Sequence, residues 1–255
     1  MTEWSAESPA DDEIDIELRA APDVASRLIL VATVCRRAFL ESRGSGNAAD
    51  ERQSDRFYLT AWLQQERLID AASPNELEIL QTPIGRLDAD MASLASWQSE
   101  ALVALAWALG LLDPMPAYHT MAEPGPLFAL VPSPWDDTSS FAAQARLRDE
   151  LEVAQERERA ELWEWRAQME EIANGGESRE VVEITDTISE VAREAHAAGL
   201  LPNPVAGDVA ADGIAYRDLS PALRENAAIV AGQRLRALNW LCGFGTSWDD
   251  VPLDP

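Results

Sequence analysis

SLASWQSEALVALAWALGLL, residues 93–112, is the most apolar stretch of the chain, and its reading decides the fold. From Ala101 to Leu112 every residue is apolar or glycine, so a helix here has no polar stripe to turn toward water and must be wrapped by other elements. It is too short to cross a bilayer, which needs about 20 apolar residues. One charge interrupts it. Glu100 lies in the row Trp97, Glu100, Ala104, Trp107, Leu111, spaced three and four apart and hence on one helix face. Burying that carboxylate alone would cost several kcal/mol, so a cation is expected against it.

The flanking sequence supplies the wrapping. Residues 1–20 carry seven acids before the first base, Arg19, and read as a mobile acidic arm in which Ile14, Ile16 and Leu18 alternate as in a short strand. Val24, Leu28, Val31, Val34 and Ala38 repeat at three and four, giving a first helix to about Leu40. A second runs from about Asp55 to Ala71. Ser73, Pro74 and Glu76 form a capping box with proline at the first helical position, which starts a short third helix. Six prolines between residues 113 and 137 predict an ordered crossover loop without helix.

Beyond it, residues 138–174 are expected as one long helix with the seam Leu147, Leu151, Ala154, Glu158, Leu162, Trp165, Met169, Ile172. Arg148 with Glu152 and Arg157 with Glu161 pair along its outside. Gly175 and Gly176 end it, Ser178 caps a following helix, and the two form an antiparallel hairpin. Ser220 and Pro221 open a last helix to Cys242, ended by Gly243. Its inward row, Leu223, Ala227, Val230, Arg234, Ala237, Leu241, is interrupted by one arginine much as Glu100 interrupts the central helix. A Glu100–Arg234 pair would satisfy both; Asp249 or Asp250 on the tail is the alternative partner for Arg234. The expected fold class is all-α: a multi-helix globular domain with a nearly fully buried central helix, a long helical hairpin in its second half, and little or no strand. Residues 21–255 read as one domain, with parts 21–112 and 138–255 joined by the crossover.

Composition bounds the function. The 255 residues hold 45 acids against 20 bases, all arginine, for a formal net charge of −25. Such an excess repels phosphate backbones and anionic membranes, and it admits a basic protein partner. Alanine-rich, lysine-free usage suggests a high-GC bacterial genome. The acidic N-terminus lacks the basic patch and apolar run of a signal peptide, which predicts a cytoplasmic protein.

At the chain end, RLRALNWLCGFGTSWDDVPLDP, residues 234–255, resembles the C-terminal signature of the bacterial family called domain of unknown function 4272. WLQQERLIDAASPNELEIL, SWQSEALVALAWALGLL, AELWEWR and GIAYRDLSP follow the family's pattern in the same order, so the resemblance covers roughly residues 19–255. It implies a predominantly helical fold and no established activity. Gln233, Arg234 and Leu235 stand where the family tends to show Glu-Arg-His, and the chain ends in Asp254 and Pro255 where the family tends to end in Asp-Thr.

The residues offer little chemistry. His119 and His196 are far apart with no Cys or His at ligand spacing, and no phosphate loop or dinucleotide-binding glycine pattern occurs, so neither metal nor cofactor is expected. Cys35 and Cys242 sit in apolar helical patterns, as small buried thiols do. Trp-Asp-Asp occurs twice, at 135–137 and 248–250, and helix capping is its simpler account. Trp163, Trp165 and Trp248 are the aromatic candidates for a ligand or partner surface. The reading favoured is a non-catalytic protein-interaction or structural module. The alternatives are an enzyme with an acid-, Arg- and Trp-lined pocket, or an acidic inhibitor or immunity protein that meets a basic toxin.

Overall fold

The computed structural model describes residues 16–42, 49–175 and 178–253, without side chains for Ser42 and residues 178–180. Most of the acidic arm, the GSG loop glycines, Gly176, the Ser178 cap and the last two residues therefore lie outside what is described. The described chain is mostly helical: α1 (Ala21–Ser42), α2 (Ala49–Gln65), α3 (Pro74–Gln81), α4 (Ala89–Ala108), α5 (Pro124–Phe128), α6 (Ser139–Gln144), α7 (Glu150–Gly175), α8 (Ser178–Ala197) and α9 (Pro221–Leu241), with a two-stranded hairpin, β1 (Ala210–Ala211) and β2 (Ile214–Ala215). It is an all-α fold with a minimal antiparallel ribbon.

α4 is the centre. Residues Ala101 to Ala106 are wholly buried, because α1 packs along one side and α9 along the other. α7 lies on the far side of α9 and α8 on α7, while α2 and α3 cover the outer face of α1. The larger core draws on α1, α4, α7 and α9 together, and a smaller one around Trp62 and Leu63 joins α1 to α2 and α3. α4 stops at Ala108, four residues before the apolar run ends. Gly110, at φ +68°, lets the chain reverse so that its N–H meets Trp107 O and the Leu111 N–H meets Ala106 O.

Four local expectations are corrected. Residues 138–174 do not form one helix: α6 ends at Gln144 and α7 starts at Glu150. Between them Arg148 donates its backbone N–H to Ala108 O at 2.8 Å and its Nε to Trp107 O at 2.7 Å. The carbonyl end of α4 needs donors, and the extended segment brings them. The buried face of α7 also differs from the expected seam. Leu151, Glu158 and Ile172 are exposed, and the chain buries Val153, Glu156, Arg157, Ala160, Trp163, Arg166 and Ala167 instead. Charged residues occupy the inside because partners await them there, so an apolar seam was the wrong guide. Within the proline-rich crossover, α5 forms one short helix with Pro124 in its first turn, where a missing N–H costs nothing. Finally, Ile16 and Leu18 form no strand; they pack on the core, and the Arg19 N–H joins Leu241 O at the end of α9.

The α7–α8 hairpin is present, although α7 packs mainly on α9. The capping box forms as the sequence predicts: Ser73 Oγ accepts the Glu76 N–H, and the Glu76 carboxylate accepts the Ser73 N–H at 2.8 Å. No described helix is long and apolar enough to cross a membrane.

Candidate functional site

Glu100 from α4 and Arg234 from α9 meet in the core, 1% and 0% exposed. Arg234 Nε and Nη2 both donate to Glu100 Oε2, at 3.1 and 2.8 Å. The other oxygen, Oε1, accepts the backbone N–H of Ala122 at 2.8 Å. Arg234 also donates to the carbonyls of Pro116, Ala117 and Thr120, and its guanidinium lies 5.0 Å from the centre of the Tyr118 ring. The pair therefore does more than join two helices. It fastens the crossover segment 116–122, whose backbone has few helical partners, to the centre of the molecule.

Asp249 and Asp250 do not reach Arg234. Asp249 accepts Ser73 Oγ–H at 2.7 Å and the Asn75 N–H at 3.1 Å, capping α3 from the far end of the chain, while Asp250 accepts from Ser247 Oγ. In the earlier Trp-Asp-Asp, Asp137 accepts the N–H and hydroxyl groups of Ser139 and Ser140, which hold its carboxyl down at about 2.

The three candidate tryptophans lie in three separate recesses. Trp248 is buried in the fold-back tail, edge-on to Trp240 and beside the Arg27 guanidinium. Arg27 in turn pairs with Glu76 at 2.8 Å. Trp163 is stacked on Tyr118 at 5.9 Å and lines a cleft of about 440 Å³ between the crossover, α7 and the β-hairpin. Only Trp165 faces a long surface groove. Two adjoining hollows, of about 500 and 380 Å³, share Glu164, Gln168 and Leu253 and run beside α7; α9 walls the larger together with Leu94 and the tail at Val251, and Thr187 and Val191 of α8 wall the smaller. Glu158, Glu161, Glu164 and Glu171 edge them at helical spacing, and Leu162, Trp165 and Ile229 give them an apolar floor. Arg236 is the one base among the lining residues. Burial pushes the Glu164 carboxyl up, and Glu171 adds to the shift, while a hydrogen bond with Gln168 opposes it.

Sequence reasoning missed the most connected buried acid, Asp208. It is fully buried in the loop after α8, where Arg166 Nε and Nη2 grip both its oxygens at 2.6 and 2.9 Å and the N–H groups of Val209 and Arg217 complete it. Burial lowers the Arg166 guanidinium, but Asp208 and Glu170 carry it above its ordinary value. Neither partner was legible: the expected seam of α7 left Arg166 out, and Asp208, 42 residues on in a polar loop, carried no signal. The thiols are poor nucleophiles. Burial raises both, Cys242 to about 11. Among the described residues no three His, Cys, Asp or Glu side chains cluster to hold a metal.

Fold and site thus define an all-α, multi-helix domain with a buried ion-paired centre and an acidic groove. The chain belongs to the family described as Domain of unknown function (DUF4272), whose sequence profile matches residues 5–198. The segment 234–255, including Arg234, lies beyond that match. No curated protein and no solved structure matches the chain at a significant level.

Proposed function

We propose that the protein is a non-catalytic interaction module that docks a basic, amphipathic segment of another protein in the groove beside α7. The observation that carries this reading is the groove itself: four glutamates, of which Glu161 is already paired with Arg157, face Arg236 over an apolar floor that includes Trp165. A helix with one apolar and one cationic face matches both features at once. Glu164 adds a reason for affinity. Its ionised form is disfavoured by burial and by Glu171, so a cation brought beside it relieves a cost already present in the free protein. The interior supports the non-catalytic reading, because its charged groups hold loops to helices and its thiols are neutral.

A synthetic amphipathic helix of leucine and lysine tests this by titration calorimetry. It should bind with an affinity that falls steeply with salt, since exposed charges are screened beyond about 10 Å at 0.1 M. A leucine–glutamate helix that binds as well, or an affinity indifferent to salt, contradicts the reading.

A further inference from the structure

The cleft at Trp163 is independent of the groove, and its chemistry differs. Its walls, Met115, Leu200, Pro202 and Trp163, are apolar, and its volume of about 440 Å³ falls within the range of small-molecule sites. Several acceptors around it are taken. Glu156 accepts the Tyr118 hydroxyl at 2.8 Å and the Arg159 guanidinium, Leu200 O accepts Arg159 Nε at 2.7 Å, and Pro116 O accepts Arg234. Some of the nitrogens are not. Arg159, whose side chain is one-third exposed, has no protein partner for Nη2 among the described residues. Neither ring nitrogen of His119 makes a hydrogen bond, although both are shielded from water.

One carboxylate does approach. Asp212 Oδ2 lies 3.0 Å from His119 Nε2, close enough for an ion pair but misaligned for a hydrogen bond. Asp212 stands at the tip of the β-hairpin, where it and Gly213 both adopt positive φ to make the two-residue turn, and its side chain is 86% exposed. The tip thus reaches across the mouth of the cleft.

We propose that this cleft binds a small organic carboxylate with a compact apolar body, and that Asp212 occupies the ligand's seat against His119 when the cleft is empty. The ligand carboxylate takes N–H groups from Arg159 and His119, its body rests against Trp163 and Leu200, and the hairpin tip gives way.

The test uses the full chain and three ligands of one skeleton: hydrocinnamate, hydrocinnamyl alcohol and phenylpropylamine in its ammonium form, titrated by ligand-observed NMR. Hydrocinnamate should bind at least about tenfold more tightly than the other two, as expected for a charge-assisted contact. Asp212→Asn, a change at an exposed position, should tighten hydrocinnamate roughly two- to fivefold, the range over which an exposed ion pair can compete. His119→Gln should weaken it. Preference for the ammonium ligand, equal binding of all three, no binding at millimolar concentration, or an Asp212→Asn variant that binds hydrocinnamate no better would each overturn the proposal.

Discussion

Glu100 and Arg234 were each visible as a lone charge in an apolar helical row, and the distance of 134 residues between them hid nothing, because a buried charge announces its need for a partner wherever that partner lies. What the rows did not show is the third member. The carbonyls of Pro116 and Thr120 and the N–H of Ala122 also depend on the pair, and backbone groups leave no mark in a sequence. Glu100→Gln and Arg234→Met should therefore each cost about 3 to 5 kcal/mol by urea denaturation, because each leaves a buried charge uncompensated. The double variant should lose less than the sum, yet not return to the wild-type value, since the loop carbonyls remain without Arg234. Strictly additive losses would show that the two side chains act separately. Glu164 carries the opposite sign. Its folded-state pKa lies above the ordinary glutamate value, so its ionised form opposes folding at neutral pH and protonation on acidification relieves that opposition. Glu164→Gln should then melt above the wild type at pH 7, with the gap closing as pH falls through the raised pKa. A gap that is constant or widens toward acid would contradict the assignment.

At the scale of elements, helices with caps written into the sequence were legible. Ser73-Pro74-x-Glu76 and Ser220-Pro221 mark the starts of α3 and α9 where the structure has them. α7 was not. Its expected seam followed the leucines, while the helix is turned so that Arg157 and Arg166 lie inside, held by Asn239 and Asp208. Periodicity of apolar residues locates a face only when the partners on the other side are apolar too. The break before α7 was hidden for a related reason: residues 145–149 leave helical geometry to serve the carbonyl end of α4, a demand that arises elsewhere in the chain. Arg148→Met should accordingly destabilise by about 1.5 to 3 kcal/mol, the range for hydrogen bonds from a charged group. Amide exchange should rise in the last turn of α4 and not in its first. Asp249→Ala should cost about 1 kcal/mol through the cap it supplies to α3. Protection lost in α9, with α3 unchanged, would refute that role.

For the molecule as a whole, net charge was the most accessible number and the least specific one. A formal charge of −25 suits any cationic partner, and it does not say where that partner sits. The proposed docking groove gives that partner a place. The fold sets Glu158, Glu161, Glu164 and Glu171 along one edge of a groove, where α9, part of α8 and the tail supply the walls and Trp165 part of the floor. Trp165 was singled out beforehand, but Trp163 and Trp248 face other recesses, since three aromatics spread over 86 positions share a surface only if the helix order brings them there. The decisive comparison is between two triple variants of equal charge, each titrated with the same leucine–lysine helix at fixed salt. Glu158→Gln, Glu164→Gln and Glu171→Gln alter the groove; Asp50→Asn, Glu51→Gln and Asp90→Asn remove the same charge from α2 and α4. Groove docking predicts a loss of about tenfold or more in the first triple, about 1.4 kcal/mol, and less than about twofold in the second. Equal losses in the two triples, or none in either, would contradict it.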